Sequence, residues 1–142
     1  MFFGTFTPKL DDKGRIFLPA KFREAMKDGL VVTRGQENAL SIWSAAGFQR
    51  LTERIQDASL TDKGARDFVR MLFAAASDEV PDKQGRITIP PILRRYASLE
   101  REVVVVGAMN RLEIWNPERW AAYTEEQEPR YSALSDEVFP GV

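Results

Sequence analysis

The chain contains one pattern twice, and no other property narrows its fold as far. KLDDKGRIFLPAKFR at 9–23 aligns with VPDKQGRITIPPILR at 80–94. Asp11 falls on Asp82, Gly14 on Gly85, Arg15 on Arg86, Ile16 on Ile87, Pro19 on Pro90 and Arg23 on Arg94, all at an offset of 71. One inserted residue moves the offset to 72. There Gly35 meets Gly107, Asn38 meets Asn110, Leu40 meets Leu112, Ile42 meets Ile114, Trp43 meets Trp115 and Phe48 meets Trp120. Matches at such rigid spacing, rare Trp included, mark a duplicated unit. Each unit is small. A unit of about 60 residues buries only about 60% of its unfolded surface, so two of them need each other's core.

Both copies read alike. A strand enters a D-x-x-G-R turn, where Gly can take the positive φ of a tight hairpin turn. A short strand R-I-x-x-P follows, its alternation favouring one buried face. Pro then ends the strand and opens a short helix; in AKFREAM, Phe22 and Met26 share one side. An apolar strand comes next, LVVT (30–33) or EVVVV (102–106), then a turn with Gly and Asn. A last strand, ALSIW (39–43) or RLEIW (111–115), leads to a closing helix at about 44–57 or 117–127. Between the copies, 61–77 predicts an amphipathic connecting helix with Phe68, Leu72 and Ala75/Ala76 on one side. The organisation expected is a first repeat at 1–58, a connecting helix at 59–77, a second repeat at 78–128 and a tail at 129–142. The stretch from Thr124 onward, acidic and Pro-containing, is expected to be loosely ordered.

Composition bears on function by what it lacks. No His removes the commonest general base and metal ligand, and no Cys removes thiol nucleophiles and disulfides. Ser, Lys and carboxylates remain, so an enzyme is not forbidden by composition, but no catalytic constellation is recognisable, and no catalytic residues, metal site or cofactor are expected. The apolar runs, such as VVVVGAM at 103–109, are far too short to span a bilayer. The opening residues lack the basic-then-apolar order of a signal peptide. A cytoplasmic protein that does not enter the membrane is the expectation. The net charge of −1 argues against a surface coated for nucleic acid, but the charge is unevenly placed. Residues 8–27 carry six basic against three acidic residues, whereas 113–137 carry seven acidic against two basic. Phosphate affinity follows the local patch.

The opening MFFGTFTPKLDDKGRIFLPAKFR, the second DKQGRITIPPILR and LEIWNPERWAAY together resemble the MraZ family of the AbrB-like (SpoVT-AbrB) superfamily. The likeness runs from Met1 to about Pro129. Its most specific element is the D-x-x-x-R signature present twice, as Asp11-Asp12-Lys13-Gly14-Arg15 and Asp82-Lys83-Gln84-Gly85-Arg86. The resemblance implies an α+β, mainly β fold of two pseudo-symmetric AbrB-like swapped-hairpin barrel halves with flanking helices. It also implies ring-like homo-oligomers. As function it implies a nucleoid-associated transcriptional regulator that binds double-stranded DNA at tandem repeats. Those repeats lie upstream of a division and cell-wall gene cluster that includes the regulator's own gene.

Arg15 and Arg86 are the leading candidates for DNA contact, because a planar guanidinium suits phosphate oxygens and bonds guanine in two places. A second reading stays open beside it: Asp11–Arg15 and Asp82–Arg86 flank turns and can pair, the Asp orienting the Arg. Lys9, Lys13, Lys21 and Lys83 are candidate phosphate contacts. The first copy, with Lys9, Lys13, Lys21 and Lys27, is expected to contact DNA more directly than the second, where Gln84 replaces Lys13. Asp11, Gly14, Asp82 and Gly85 read as turn residues. Trp43, Trp115 and Trp120 read as core or subunit-contact anchors, and Arg94-Arg95 and Arg66/Arg70 as solvated helix faces. The alternative function is an antitoxin-type interaction module working through an acidic tail, which the doubled unit and short acidic stretch disfavour.

Overall fold

The computed structural model describes residues 1–57 and 61–142. The expected border between first repeat and connecting helix, at 58/59, lies outside the described residues. Among the described residues eight strands occur in chain order: β1 (Thr5–Phe6), β2 (Arg15–Phe17), β3 (Leu30–Arg34), β4 (Leu40–Ser44), β5 (Ser77–Glu79), β6 (Arg86–Thr88), β7 (Val104–Gly107) and β8 (Leu112–Trp115). The helices are α1 (Arg23–Met26), α2 (Ala45–Gln56), α3 (Lys63–Ala74), α4 (Pro91–Tyr96), α5 (Pro117–Gln127) and α6 (Tyr131–Val138), with 3-10 turns at Ala20–Phe22 and Glu128–Arg130. The architecture is α+β. Its core lies on the strands and the short helices α1 and α4, with Ile16, Leu18, Phe22, Met26, Leu30, Ile42, Ile87, Ile89, Leu93 and Ile114 all buried.

Six strands form one antiparallel sheet in the order β1-β7-β8-β4-β3-β5, and β2 pairs with β6 in a separate ribbon. Exchanging the two repeats turns that order into its own reverse: β1 trades with β5, β7 with β3 and β8 with β4. The registers locate the pseudo-twofold axis. In the ribbon Ile16 stands opposite its own equivalent, Ile87, and at the centre of the sheet Ser41 stands opposite its equivalent, Glu113. The repeats are therefore not neighbours sharing a border. Among the described residues β2, flanked by one copy's turn, pairs only with β6 of the other copy, and that exchange supplies the core a lone repeat lacks.

The lock extends to both turns. Leu18 N–H donates to Gly85 O at 2.9 Å, and Ile89 N–H donates to Gly14 O at 2.8 Å. Arg23 Nε donates to Leu18 O and Arg94 Nε to Ile89 O, both at 3.0 Å. Each of these guanidiniums then lies against the turn glycine of the opposite copy. A Cβ at Gly14 would stand 2.9 Å from Arg94 Cζ, and one at Gly85 would stand 2.5 Å from Arg23 Nε. Arg94 is thus half-buried mortar between the copies rather than the solvated helix residue its sequence context suggests.

The longer helices begin where a side chain caps them. Ser44 accepts from Gly47 N–H, Asp62 from Ala65 N–H and Asn116 from Arg119 N–H, satisfying donors that have no partner within the helix. The connecting helix is shorter than its pattern predicts. It stops at Ala74, and Ser77–Glu79 becomes an edge strand on β3. Leu72 and Ala75 are buried as expected, but Phe68 is 45% exposed. The stretch after Thr124 is also more ordered than its composition suggests, continuing α5 to Gln127 and then forming α6. No helix among the described residues is long and apolar enough to cross a membrane.

Gly14 and Gly85 have φ of +76° and +80°, in the left-handed region where a Cβ is strained by about 1–2 kcal/mol. Gly14→Ala and Gly85→Ala should each lower unfolding free energy by about 1–3 kcal/mol in urea titrations, from strain and the displaced arginine together. Unchanged midpoints in both variants would contradict the interlock.

Candidate nucleic-acid interface

The D-x-x-G-R turns are built by their own first residue. Asp11 Oδ1 accepts from Lys13 N–H and Arg15 N–H, each at 2.9 Å, while Asp11 Oδ2 accepts from Arg15 Nε at 2.8 Å. Gly14 N–H closes the turn on Asp11 O at 3.0 Å. The second copy repeats this bond for bond: Asp82 Oδ1 takes Gln84 N–H and Arg86 N–H, Oδ2 takes Arg86 Nε at 2.8 Å, and Gly85 N–H reaches Asp82 O. One short carboxylate thus fixes both the backbone of the turn and the direction of the arginine, which is why Asp is placed four residues before Arg.

Pairing of β2 with β6 brings the two arginines onto one surface. Arg15 stands opposite Thr88, and Phe17 stands opposite Arg86. Residues directly opposite in an antiparallel pair share a face. Ile16 and Ile87 point into the core, so Arg15, Phe17, Arg86 and Thr88 make the outward face. The arginines occupy one diagonal of this four-residue patch, at about 7–8 Å between backbone positions. They were 71 residues apart in the chain. Their side chains are 28% and 23% exposed. Among the described residues each guanidinium is hydrogen-bonded through its Nε, and its Nη groups make no hydrogen bond. The ion pair thus uses Nε alone, and the partly exposed guanidinium keeps its Nη groups without a hydrogen bond among the described residues.

The lysines fall into different settings. Lys13 and Lys83 are exposed within the two turns, at the third position of one and the second of the other, so each turn carries one. Lys9 is exposed and its backbone bridges Glu102, placing an acidic residue directly across from it. Lys21 holds its ammonium 3.9 Å from the centre of the Phe3 ring, a cation–π contact no spacing rule announces. Trp115 is buried and packs edge-on to Trp120 at 5.1 Å, with Tyr123 at 5.0 Å, while Trp43 is half-buried with Arg111 at 5.9 Å from its ring. Sequence reasoning passed over Phe17 and Thr88, which complete the outward patch, because nothing local says that they share it with Arg86.

Electrostatics follow the turn geometry. The Arg15 backbone N–H, its guanidinium and the Lys13 N–H hold the Asp11 carboxyl below the usual aspartate range, against a smaller opposing effect of burial. Asp82 is lowered in the same way by Arg86 and Gln84. A carboxylate whose folded pKa is depressed supports the fold above its unfolded value and loses that support as pH falls through the folded one. Both turns should therefore stay intact at neutral and mildly acidic pH and loosen only below the usual aspartate value of about 3.9. Carboxyl NMR titration should place both midpoints below that value. Arg15→Ala should raise the Asp11 midpoint part of the way, since the backbone N–H remains, and leave Asp82 unmoved. Equal movement of both would refute independent turns.

Comparison with known proteins matches this picture. The family described as "MraZ protein, putative antitoxin-like" matches residues 1–71 and again residues 72–139, one match for each copy of the repeat. The protein named transcriptional regulator MraZ of Kineococcus radiotolerans is 54% identical over 142 residues, spanning 100% of this chain and 99% of its own. Proteins of the same name from Micrococcus luteus and a Parafrankia species are 52% and 54% identical over the same spans. A family match in each half, with relatives alike at about half of all positions from end to end, makes the assignment plain: the chain belongs to the MraZ family.

Proposed function

We propose that the chain is a transcriptional regulator that binds double-stranded DNA sequence-specifically and without catalysis. Its sites are tandem repeats in the promoter of a division and cell-wall gene cluster that includes its own gene. The observation that carries this reading is the outward face of the β2–β6 ribbon, with two arginines held through Nε and no hydrogen bond to their Nη groups among the described residues. The major groove admits a two-stranded ribbon, and a bidentate arginine suits guanine O6 and N7. Lys13 and Lys83, one in each turn, would meet phosphates at either end of the ribbon, with Lys9 and Lys21 adding positive charge from the first copy. Asp11, Gly14, Asp82 and Gly85 serve as the frame. Residues 1–58 and 78–128 are then the two DNA-binding repeats, 59–77 their link and 129–142 a tail. Ring-like homo-oligomers acting on the nucleoid in the cytoplasm would offer several such ribbons to repeated DNA and gain avidity.

A second reading draws on the tail. Acidic α6 exposes Tyr131, Leu134 and Val138 at helical spacing, and such a face suits an antitoxin-type partner contact. Recovery of one stoichiometric protein partner that masks α6, with no DNA binding, would favour it.

The DNA reading is tested by gel shift against the DNA just upstream of the chain's own gene. Arg15→Ala and Arg86→Ala should each weaken binding by about ten- to a hundredfold, the loss of one bidentate base contact, while size-exclusion profiles stay unchanged. Loss of fold in both variants would reduce the arginines to turn residues. For the wild-type protein, log affinity should fall linearly with log salt as phosphate contacts release counterions. Salt-independent binding would contradict the basic ribbon.

A further inference from the structure

The outward patch breaks the pseudo-twofold symmetry that the rest of the ribbon keeps. Exchange of the repeats swaps Arg15 with Arg86, but it swaps Phe17 with Thr88. One rung of the ribbon therefore pairs Arg15 with Thr88, and the next pairs Arg86 with Phe17. Phe17 is 49% exposed although it stands on a strand whose central residue is fully buried. Its ring lies 5.9 Å from the Arg86 guanidinium carbon, so the apolar surface and the cation form one composite face. Hydrophobic side chains of this size on a soluble protein's surface are informative when they sit beside a polar recognition group rather than alone.

Symmetry makes the difference consequential. A reader with identical halves suits an inverted sequence and binds it equally in either orientation. Tandem repeats have a direction, so a reader of them needs unlike halves. Resting on the DNA reading above, we propose that Phe17 forms an apolar subsite for the C5-methyl group of a thymine adjacent to the base engaged by Arg86. The ribbon thereby gains its polarity on the duplex. Thymine is the base that presents an apolar group in the major groove, and aromatic or methyl-bearing side chains are its usual complements. Thr88, smaller and polar-tipped, offers the opposite rung a weaker counterpart.

The test uses the full-length protein and duplexes from the DNA just upstream of its gene, with each thymine replaced singly by uracil. That change removes the methyl group and leaves base pairing intact. Wild-type protein should bind about 4-fold more weakly to the duplex lacking one particular methyl, the worth of one buried carbon group. Phe17→Thr should bind the unmodified duplex more weakly and lose most of its sensitivity to that replacement, Thr being the weaker complement. The double exchange Phe17→Thr with Thr88→Phe should move the sensitive thymine to the other side of the site. Thermal melts confirm that each variant is folded, and Phe17→Leu, which keeps an apolar side chain, should retain the sensitivity. Unchanged affinity of wild type for every uracil duplex, or retained sensitivity in Phe17→Thr, overturns the inference alone. Failure of wild type to bind the unmodified duplex overturns the DNA reading and the inference with it.

Discussion

The crossing of each repeat's turn with the other repeat's strand is the constraint on which this molecule rests. Gly14 O and Gly85 O accept from Ile89 and Leu18, and the turns that carry those glycines are packed by Arg94 and Arg23 from the opposite copies. Neither β2 nor β6 can satisfy its backbone without the other, and unpaired backbone groups beside a buried face are costly. The core residues Ile16, Leu18, Ile87 and Ile89 are buried by the same crossing. Turn geometry, core and outward patch are therefore one cooperative feature rather than three.

The outward patch is economical in how it uses its carboxylates. Asp11 and Asp82 each satisfy two backbone N–H groups with one oxygen and orient an arginine with the other. An exposed ion pair alone contributes little to stability. Here its value is directional, since it removes rotamer freedom from a long side chain before any acceptor arrives. The pairing occupies Nε alone, so the same guanidinium keeps its other two nitrogens.

Much of this was legible in the residues. The repeat, the positive-φ glycines, the Asp–Arg pairing, the apolar strands and most helix boundaries follow from local pattern and turn chemistry. The α+β fold of two pseudo-symmetric halves followed from family resemblance. What local pattern could not supply was partnership across the chain. A period of two says that Ile16 is buried, but not that Ile87 faces it, and so not that Arg15, Phe17, Arg86 and Thr88 share a surface. Arg94 reads as solvated because it is a charged residue beside Arg95, whereas the turn glycine it packs against, Gly14, belongs to the other copy. Strand β5, Ser-Asp-Glu, carries no apolar signal and is a strand because β3 offers it an edge. The helix α6 was missed because acidic composition was read as an absence of structure.

Because both strands of the ribbon belong to one polypeptide, their pairing is a unimolecular event. In a noncovalent dimer the corresponding element would come apart on dilution, and its population would follow protein concentration. Here the linking residues hold the partner strand at a fixed effective concentration. A cell can thus vary the amount of this protein widely while every single chain keeps its ribbon whole.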